Sequence, residues 1–297
     1  MAIRLNPDLV PGLLEAVTQS QQNMNTATQQ LSTGKKVNEL SDDPVAVAQL
    51  VQNHNQAGQD DQFLTNLNGL QAKFQVADST LSNVVSVLTR AVSIGTEGAN
   101  GTLSQADRDS VAAEVQGLLS QMVNLGNTTY QGTYIFSGTA VTTQPFTQDP
   151  NSLAVSYNGN SNTANVQLSN GVTIESGVPG DQLFQNGSGS VFGALQDLYN
   201  SLQTSTGMDT AVTEVQNALS TVSTQRVFYG NALNQITTSE NFLSQDKVNL
   251  SSQENDLVGV DPATAASDLA QAQIAYQSQL AATGRVLSLP SLLSFLK

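Results

Sequence analysis

The chain has no cysteine, no tryptophan, one histidine and few charges of either sign. Without cysteine there are no disulfides, no thiolate nucleophiles and no sulfur-ligated metal or redox centre. A single imidazole, His54, excludes any site that needs two, and leaves an enzyme only carboxylate or hydroxyl chemistry. Charged residues make up 11% of the 297, where a soluble protein usually carries about 25%. The 24 acids outnumber the 10 bases and give a net charge of −14. No Lys or Arg lies between Arg108 and Arg226. A phosphate backbone would meet repulsion over the middle of the chain, which excludes nucleic acid as a partner. No apolar run approaches the ~18 residues of a membrane span, so no membrane insertion is expected. The opening residues MAIRLNPDLV lack the apolar core and small-residue cleavage site of a secretory signal. The expectation is a cytosolic protein, or one exported without a cleaved signal peptide.

What replaces charge is uncharged polarity: Ser, Thr, Asn and Gln supply 117 residues, and hydrophobic types 39%. The apolar residues follow a seven-residue rhythm. Phe63, Leu67, Leu70, Phe74, Ala77, Leu81, Val84, Leu88 and Ala91 step by four and three, the spacing of a coiled-coil seam. A second ladder runs Val212, Val215, Leu219, Val222, Arg226, Tyr229, Leu233, Ile236, Glu240, Leu243, Lys247, Leu250, Glu254, Leu257. The spacing predicts helices over 60–98 and 208–258, far beyond the ~11-residue average, and therefore rod architecture. A third helix follows from Ser104 as N-cap, with Asp107 at its third position.

From about Tyr130 to Ser190 the period changes. Glycines punctuate short runs rich in Thr, Val, Tyr and Phe, and Asn158-Gly159 and Asn170-Gly171 are both two-residue hairpin signals. The expected fold class is mainly α with a β insertion. It is an elongated bundle of long coiled-coil-type helices from both chain ends, carrying a small all-β outer domain. The boundaries are 1–132 for the N-terminal helical arm, 133–190 for the outer domain and 191–297 for the C-terminal arm. Both ends repeat the rhythm, through Val10, Leu13, Val17, Ser20, Met24, Ala27, Leu31 and through Leu269, Tyr276, Leu280, Thr283, Leu287. Each stripe is diluted by polar residues, and such a helix is marginal alone. The expectation is that the ends stay mobile and pair only when copies assemble.

The segment LSTGKKVN followed by SDDP reads as a helix–turn–helix hinge. Gly34 can end the first helix with Lys35 and Lys36 beside its negative end, and Ser41 or Asp42 can cap a second helix whose first turn takes Pro44. The same residues could instead form a contact surface.

LSTGKKVN with SDDP is similar to the N-terminal signature of flagellin-related axial proteins. The passage Gln131-Gly132-Thr133-Tyr134-Ile135-Phe136-Ser137-Gly138, leading to Gln144-Pro145-Phe146, resembles that of the hook-filament junction family, the third hook-associated proteins. So does the close, Arg285 to Lys297, which ends SLLSFLK. Residues 149–190 carry no such likeness, and the opening with Pro7 and Pro11 departs from it. The resemblance implies a structural subunit of the bacterial flagellum, exported unfolded by the flagellar type III route and set in a ring between hook and filament. It implies as partners neighbouring copies, the other hook-associated junction protein, flagellin and a cytoplasmic export chaperone. It implies no cofactor and no catalysis.

The candidate site residues fall into three sets. Assembly contacts are Gly34, Lys35, Asp42, Asp43, Pro44, Leu287, Leu289, Leu292, Leu293, Phe295 and Leu296. Seam positions are Phe63, Leu67, Leu70, Phe74, Leu81, Leu88, Leu219, Leu233, Ile236, Leu243 and Leu250. Tyr134, Phe136 and Gly138 open the β segment, where the plain reading is a first strand packing a small core. His54, near Asp60 and Asp61, could suggest a metal or a general base, but its segment QNHNQAGQDDQ reads as solvated helix surface. Asp42-Asp43 lack the alternating acids and closing Glu of a calcium loop, so no metal is expected. The Asn-x-Ser/Thr triplets at Asn127, Asn186 and Asn249 are given no function. Two readings compete with the junction subunit: flagellin itself, and a β domain that binds a surface while the helices present it.

Overall fold

The structure is a computed structural model and describes residues 9–99, 103–185 and 190–287. Its contacts divide the chain into two compact units, one of residues 1–59 with 245–297, the other of residues 60–244.

In the first unit, α1 (Leu9–Thr33) packs along α7 (Pro262–Leu287), which begins beside the end of α1. Most of the stripe read from the sequence is the packed face: Ser20, Ala27 and Thr283 are buried and Leu13, Val17, Met24, Leu269 and Tyr276 half-buried, joined by the buried Ala265, whereas Leu31 and Leu280, also read as part of it, are exposed. Pairing that was expected only on assembly is therefore made within one chain. The reason is that the two diluted stripes complement each other. The unit also takes in the start of α2 (Pro44–Gly98) and the end of α6 (Met208–Val258).

The second unit holds the rest of α2 and α6, with α3 (Gln105–Gly126) and α5 (Val191–Thr204). Helix α2 runs unbroken from Pro44 because nothing between there and Gly98 interrupts it, so the predicted start at 60 is too late. Leu67, Phe74, Leu81 and Leu88 are fully buried and Leu70 nearly so, while Phe63 is half-buried at the edge. On α6 only alternate rungs hold. Val215, Val222, Tyr229, Ile236 and Leu243 are buried, but the intervening seam positions are Ala211, Ala218 and Ala232. Leu219 and Leu233, one residue further on, flank the seam half-buried, as does Leu250 in the first unit. Phe74 of α2 fills the space between the helices, and its ring meets Phe228 and Tyr229 of α6 edge-on at 6.1 and 5.4 Å.

Ser104 and Asp107 form the expected capping box: Ser104 Oγ accepts the Asp107 N–H at 3.2 Å, and an Asp107 oxygen accepts the Ser104 N–H at 3.3 Å. Helix α5, separate from α6, ends at Ser205 in the left-handed region, φ 58.

Three two-stranded antiparallel ladders follow α3: β1 (Thr129–Tyr130) with β2 (Thr133–Tyr134), β3 (Phe146–Gln148) with β4 (Val155–Tyr157), and β5 (Asn165–Ser169) with β6 (Val172–Glu175). Asn170-Gly171 makes the β5–β6 turn, with Gly171 at φ 80. Asn158-Gly159 makes none. It follows β4 into a loop, where the Asn158 N–H donates to the Pro145 carbonyl at 2.7 Å and its carboxamide to Thr147 Oγ1 at 3.1 Å. The β3–β4 turn lies instead at Asp149–Ala154, where Asp149 Oδ1 accepts the Asn151 and Ser152 N–H groups and Leu153 turns to φ 58.

These ladders close on an aromatic cluster. Phe136, Phe146 and Phe184 of the short helix α4 (Gly180–Phe184) are fully buried, and Phe146 and Phe184 both meet Phe192 of α5, at 4.9 and 5.6 Å. Phe136 sits beyond β2 rather than within it. Tyr134 is half-buried, its N–H donating to the Val141 carbonyl at 2.9 Å. Gly138 takes φ 68 against the Asn160 carbonyl, where no Cβ fits. Asn127 at the end of α3 behaves as a strand would: its carboxamide donates to the Phe146 carbonyl at 2.8 Å and accepts the Phe146 N–H at 2.9 Å.

Candidate assembly interface

The surface built by the signature residues lies in the first unit, where two helix-to-helix connections meet. Gly34 leaves α1 at φ 69, and the next residues run antiparallel to the connection between α6 and α7. The Lys36 N–H donates to the Val258 carbonyl at 2.7 Å, and the Val260 N–H to the Gly34 carbonyl at 3.0 Å. The two corners are thus joined by main chain, with Gly34 supplying the left-handed turn that a Cβ would strain.

Charge reinforces the joint. Lys35 Nζ lies 3.2 Å from one Glu254 oxygen, and His54 Nε2 lies 3.1 Å from the other. The hydrogen bond from His54 comes first among the causes that hold the Glu254 carboxyl below its usual range, with Lys35 adding to it. Lys36 Nζ donates to the Asp256 carbonyl at 3.2 Å, near the negative end of α6. The lysines therefore serve the end of α6, not the end of α1 that the sequence suggested. The cap also differs from expectation. Asp42 Oδ2 accepts the Asn38 and Glu39 N–H groups, both at 2.9 Å, and pulls the loop tight. These two backbone donors hold the Asp42 carboxyl below its usual value. It is Asp43 whose Oδ1 accepts the Val45 and Ala46 N–H groups at 3.0 Å and caps α2, with Pro44 in the first turn as predicted.

Gly34, Lys35, Asp42, Asp43 and Pro44 are thereby brought together. Leu287 ends α7, and Leu289, Leu292, Leu293, Phe295 and Leu296 lie outside the described residues. Sequence reasoning missed Glu254, although it stands in the second ladder as an acid at a seam position, the signal that could have found it. His54 is mainly exposed, as read, but it has this carboxylate for a partner.

Large apolar side chains of this unit face outward, some beside the joint and some far along α1 and α7: Leu40 is 72% exposed, Val45 69% and Ile274 65%, with Leu14, Val51, Val248 and Leu280. Between α1 and α7 runs a groove of about 400 Å³, lined by Ser20, Asn23, Ala27, Gln30, Asp268, Gln271 and Ala275. Its hydroxyls, carboxamides and small side chains suit a helix laid against it more than a reacting substrate. Among the described residues no group of three or more His, Asp or Glu comes together to hold a metal, and no helix is long and apolar enough to cross a membrane.

Comparison with known proteins agrees with this anatomy. Residues 12–141 match the bacterial flagellin N-terminal helical region, and residues 212–296 the bacterial flagellin C-terminal helical region. Flagellar hook-associated protein 3 of Escherichia coli is 29% identical over 291 residues, covering 89% of this chain and 90% of that protein. A flagellar hook-associated protein of Vibrio parahaemolyticus superposes with a TM-score of 0.67 at 22% identity, over 73% of this chain and all of that one. The flagellar junction protein FlgL of Legionella pneumophila gives 0.61 at 18% identity, over 71% of this chain and all of that one, so the fold is shared. The two matched terminal regions and the relatives named hook-associated protein 3 place the chain in one family: it belongs to the flagellins and their hook-associated kin.

Proposed function

We propose that the chain is a structural subunit of the bacterial flagellum, a junction protein that links hook to filament by packing its helices against those of neighbouring subunits. The observation that carries this reading is the likeness to hook-associated protein 3 along nearly the whole of both chains. The mechanism is burial. The outward-facing Leu14, Leu40, Val45, Val51, Ile274 and Leu280 are covered by neighbours, at about 25 cal/mol per Å² removed from water. The rigid corner of Gly34, Lys35, Asp42, Asp43 and Pro44 fixes the directions in which the helices leave it. Leu287, Leu289, Leu292, Leu293, Phe295 and Leu296 add an apolar tail to the same contacts. Neighbours are further copies in a ring, the other hook-associated junction protein on one side and flagellin on the other. The chain reaches this extracellular place through the flagellar export route, held before export by a cytoplasmic chaperone.

Deleting the gene in a flagellated cell tests the reading. The expected outcome is hooks without filaments and flagellin shed into the medium, while the purified chain forms no long filaments. Since both matched regions are named for flagellin, a second reading is the filament subunit itself. Ready growth of long homopolymers would favour it. Removing residues 139–188 separates either from a surface-binding β segment, because filament attachment survives only if that segment is an accessory.

A further inference from the structure

Five Asn-Gly pairs occur in the chain, and three of them, at Asn68, Asn158 and Asn170, lie among the described residues. The pair is chemically distinctive. With no Cβ on the following residue, the glycine nitrogen can approach the side-chain carbonyl carbon of asparagine, provided that the backbone is loose enough to turn and the carboxamide is not held elsewhere.

The fold treats the three differently. Asn68 lies inside α2, its Nδ2 donating to the Leu64 carbonyl at 2.9 Å, so attack requires the helix to open. Asn158 is tied through Nδ2 to Thr147 Oγ1 and through its N–H to the Pro145 carbonyl, and Gly159 is packed under the Tyr157 hydroxyl and the Ser137 carbonyl. Asn170 and Gly171 are both exposed at the tip of the β5–β6 hairpin. The Asn170 carboxamide makes no hydrogen bond to a described residue, and no heavy atom lies within 4 Å of where a Cβ on Gly171 would be.

We propose that Asn170 is a site of spontaneous deamidation in the folded protein, the most susceptible of the three. The Gly171 nitrogen bonds to Asn170 Cγ, the Cγ–Nδ2 bond breaks, and ammonia leaves with the proton that the glycine nitrogen gives up, closing a five-membered imide. Water then opens either imide carbonyl. One opening gives aspartate, and the other gives isoaspartate, whose side-chain carbon has entered the main chain. Either product adds a negative charge to a chain already at −14. The second also lengthens the backbone at a turn whose register already slips between Gln167 and Ser169, and so loosens the pairing of β5 with β6.

The test incubates the full chain in mildly alkaline buffer, folded and in parallel in denaturant, and follows each of the three asparagines by peptide mapping with mass spectrometry that resolves isoaspartate. In the folded chain Asn170 is expected to lose its amide several-fold faster than Asn158 and Asn68, and in denaturant the three rates are expected to converge. If Asn158 or Asn68 keeps pace with Asn170 in the folded chain, or if the same ranking persists in denaturant, the assignment to fold geometry is overturned.

Discussion

Arg226 grips Asp78 with two parallel hydrogen bonds, Nε to Oδ1 at 2.6 Å and Nη2 to Oδ2 at 3.1 Å, joining α6 to α2 from positions 148 residues apart in sequence. The pair stands beside the Phe74–Tyr229 contact and is part-exposed, so solvent screens it. Replacing Arg226 with Gln is expected to cost about 1 kcal/mol, the upper end for such pairs. A double-mutant cycle with Asp78→Asn, read from urea midpoints, is expected to show that most of this cost is coupling.

Phe74 is the opposite case, fully buried with no polar role. Phe74→Ala is expected to cost about 3–5 kcal/mol, because the hole it leaves between α2 and α6 cannot close over Tyr229 and Phe228. Denaturant unfolding followed by circular dichroism measures it, and a loss below that of Arg226→Gln would place the core of this unit elsewhere.

The joint between the two corners is expected to weaken in acid. Glu254 is held below its ordinary value of 4.5, so its contribution is full at neutral pH, above the unfolded value. It is lost as pH falls through the lowered folded value. Amide protection at Lys36 and Val260, corrected for intrinsic exchange, should fall across that acid window in the native chain. In Glu254→Gln it should be low already at neutral pH and change little with acid.

Tyr229 is buried and its hydroxyl is pushed up to about 12 by desolvation, so it stays protonated at any working pH. Its oxygen accepts the Val178 N–H at 3.2 Å. Tyr229→Phe strands that donor and is expected to cost about 1–3 kcal/mol. Exchange at Val178 should speed up while the α6 ladder around it stays protected.

Gly138 takes a left-handed φ of 68 with the Asn160 carbonyl pressed against it. Gly138→Ala is expected to destabilise by at least the ~1–3 kcal/mol of a strained non-glycine residue, visible as a drop in Tm. Gly132, also at positive φ but with nothing near it, should lose only the strain.

The α2 seam was legible because its buried positions are mostly large and apolar, so the heptad count finds them. The α6 seam was half legible. Ala211, Ala218 and Ala232 fill alternate rungs, and a count that favours large residues slides to Val212, Leu219 and Leu233. Turn chemistry succeeded at Asn170-Gly171, where the sequence next to the pair alternates on both sides. It failed at Asn158-Gly159, where Tyr157 and Ser137 crowd the glycine and tertiary contacts override the local signal. In the signature loop the residues were found but their duties were exchanged. Asp43 rather than Asp42 caps α2, and the lysines answer Glu254 and Asp256, which lie more than two hundred positions away and leave no local trace. The tail beyond Leu287 was read from composition and resemblance alone.

Lys73 of α2 donates to the Ser176 carbonyl at 2.9 Å, two residues before the Val178 N–H that Tyr229 of α6 holds. One short strap is therefore fastened to both long helices at once. A drag force on the β segment cannot hinge it away from one helix alone. These two fastenings add to the ones that hold the segment to α3 through Asn127 and to α5 through Phe192.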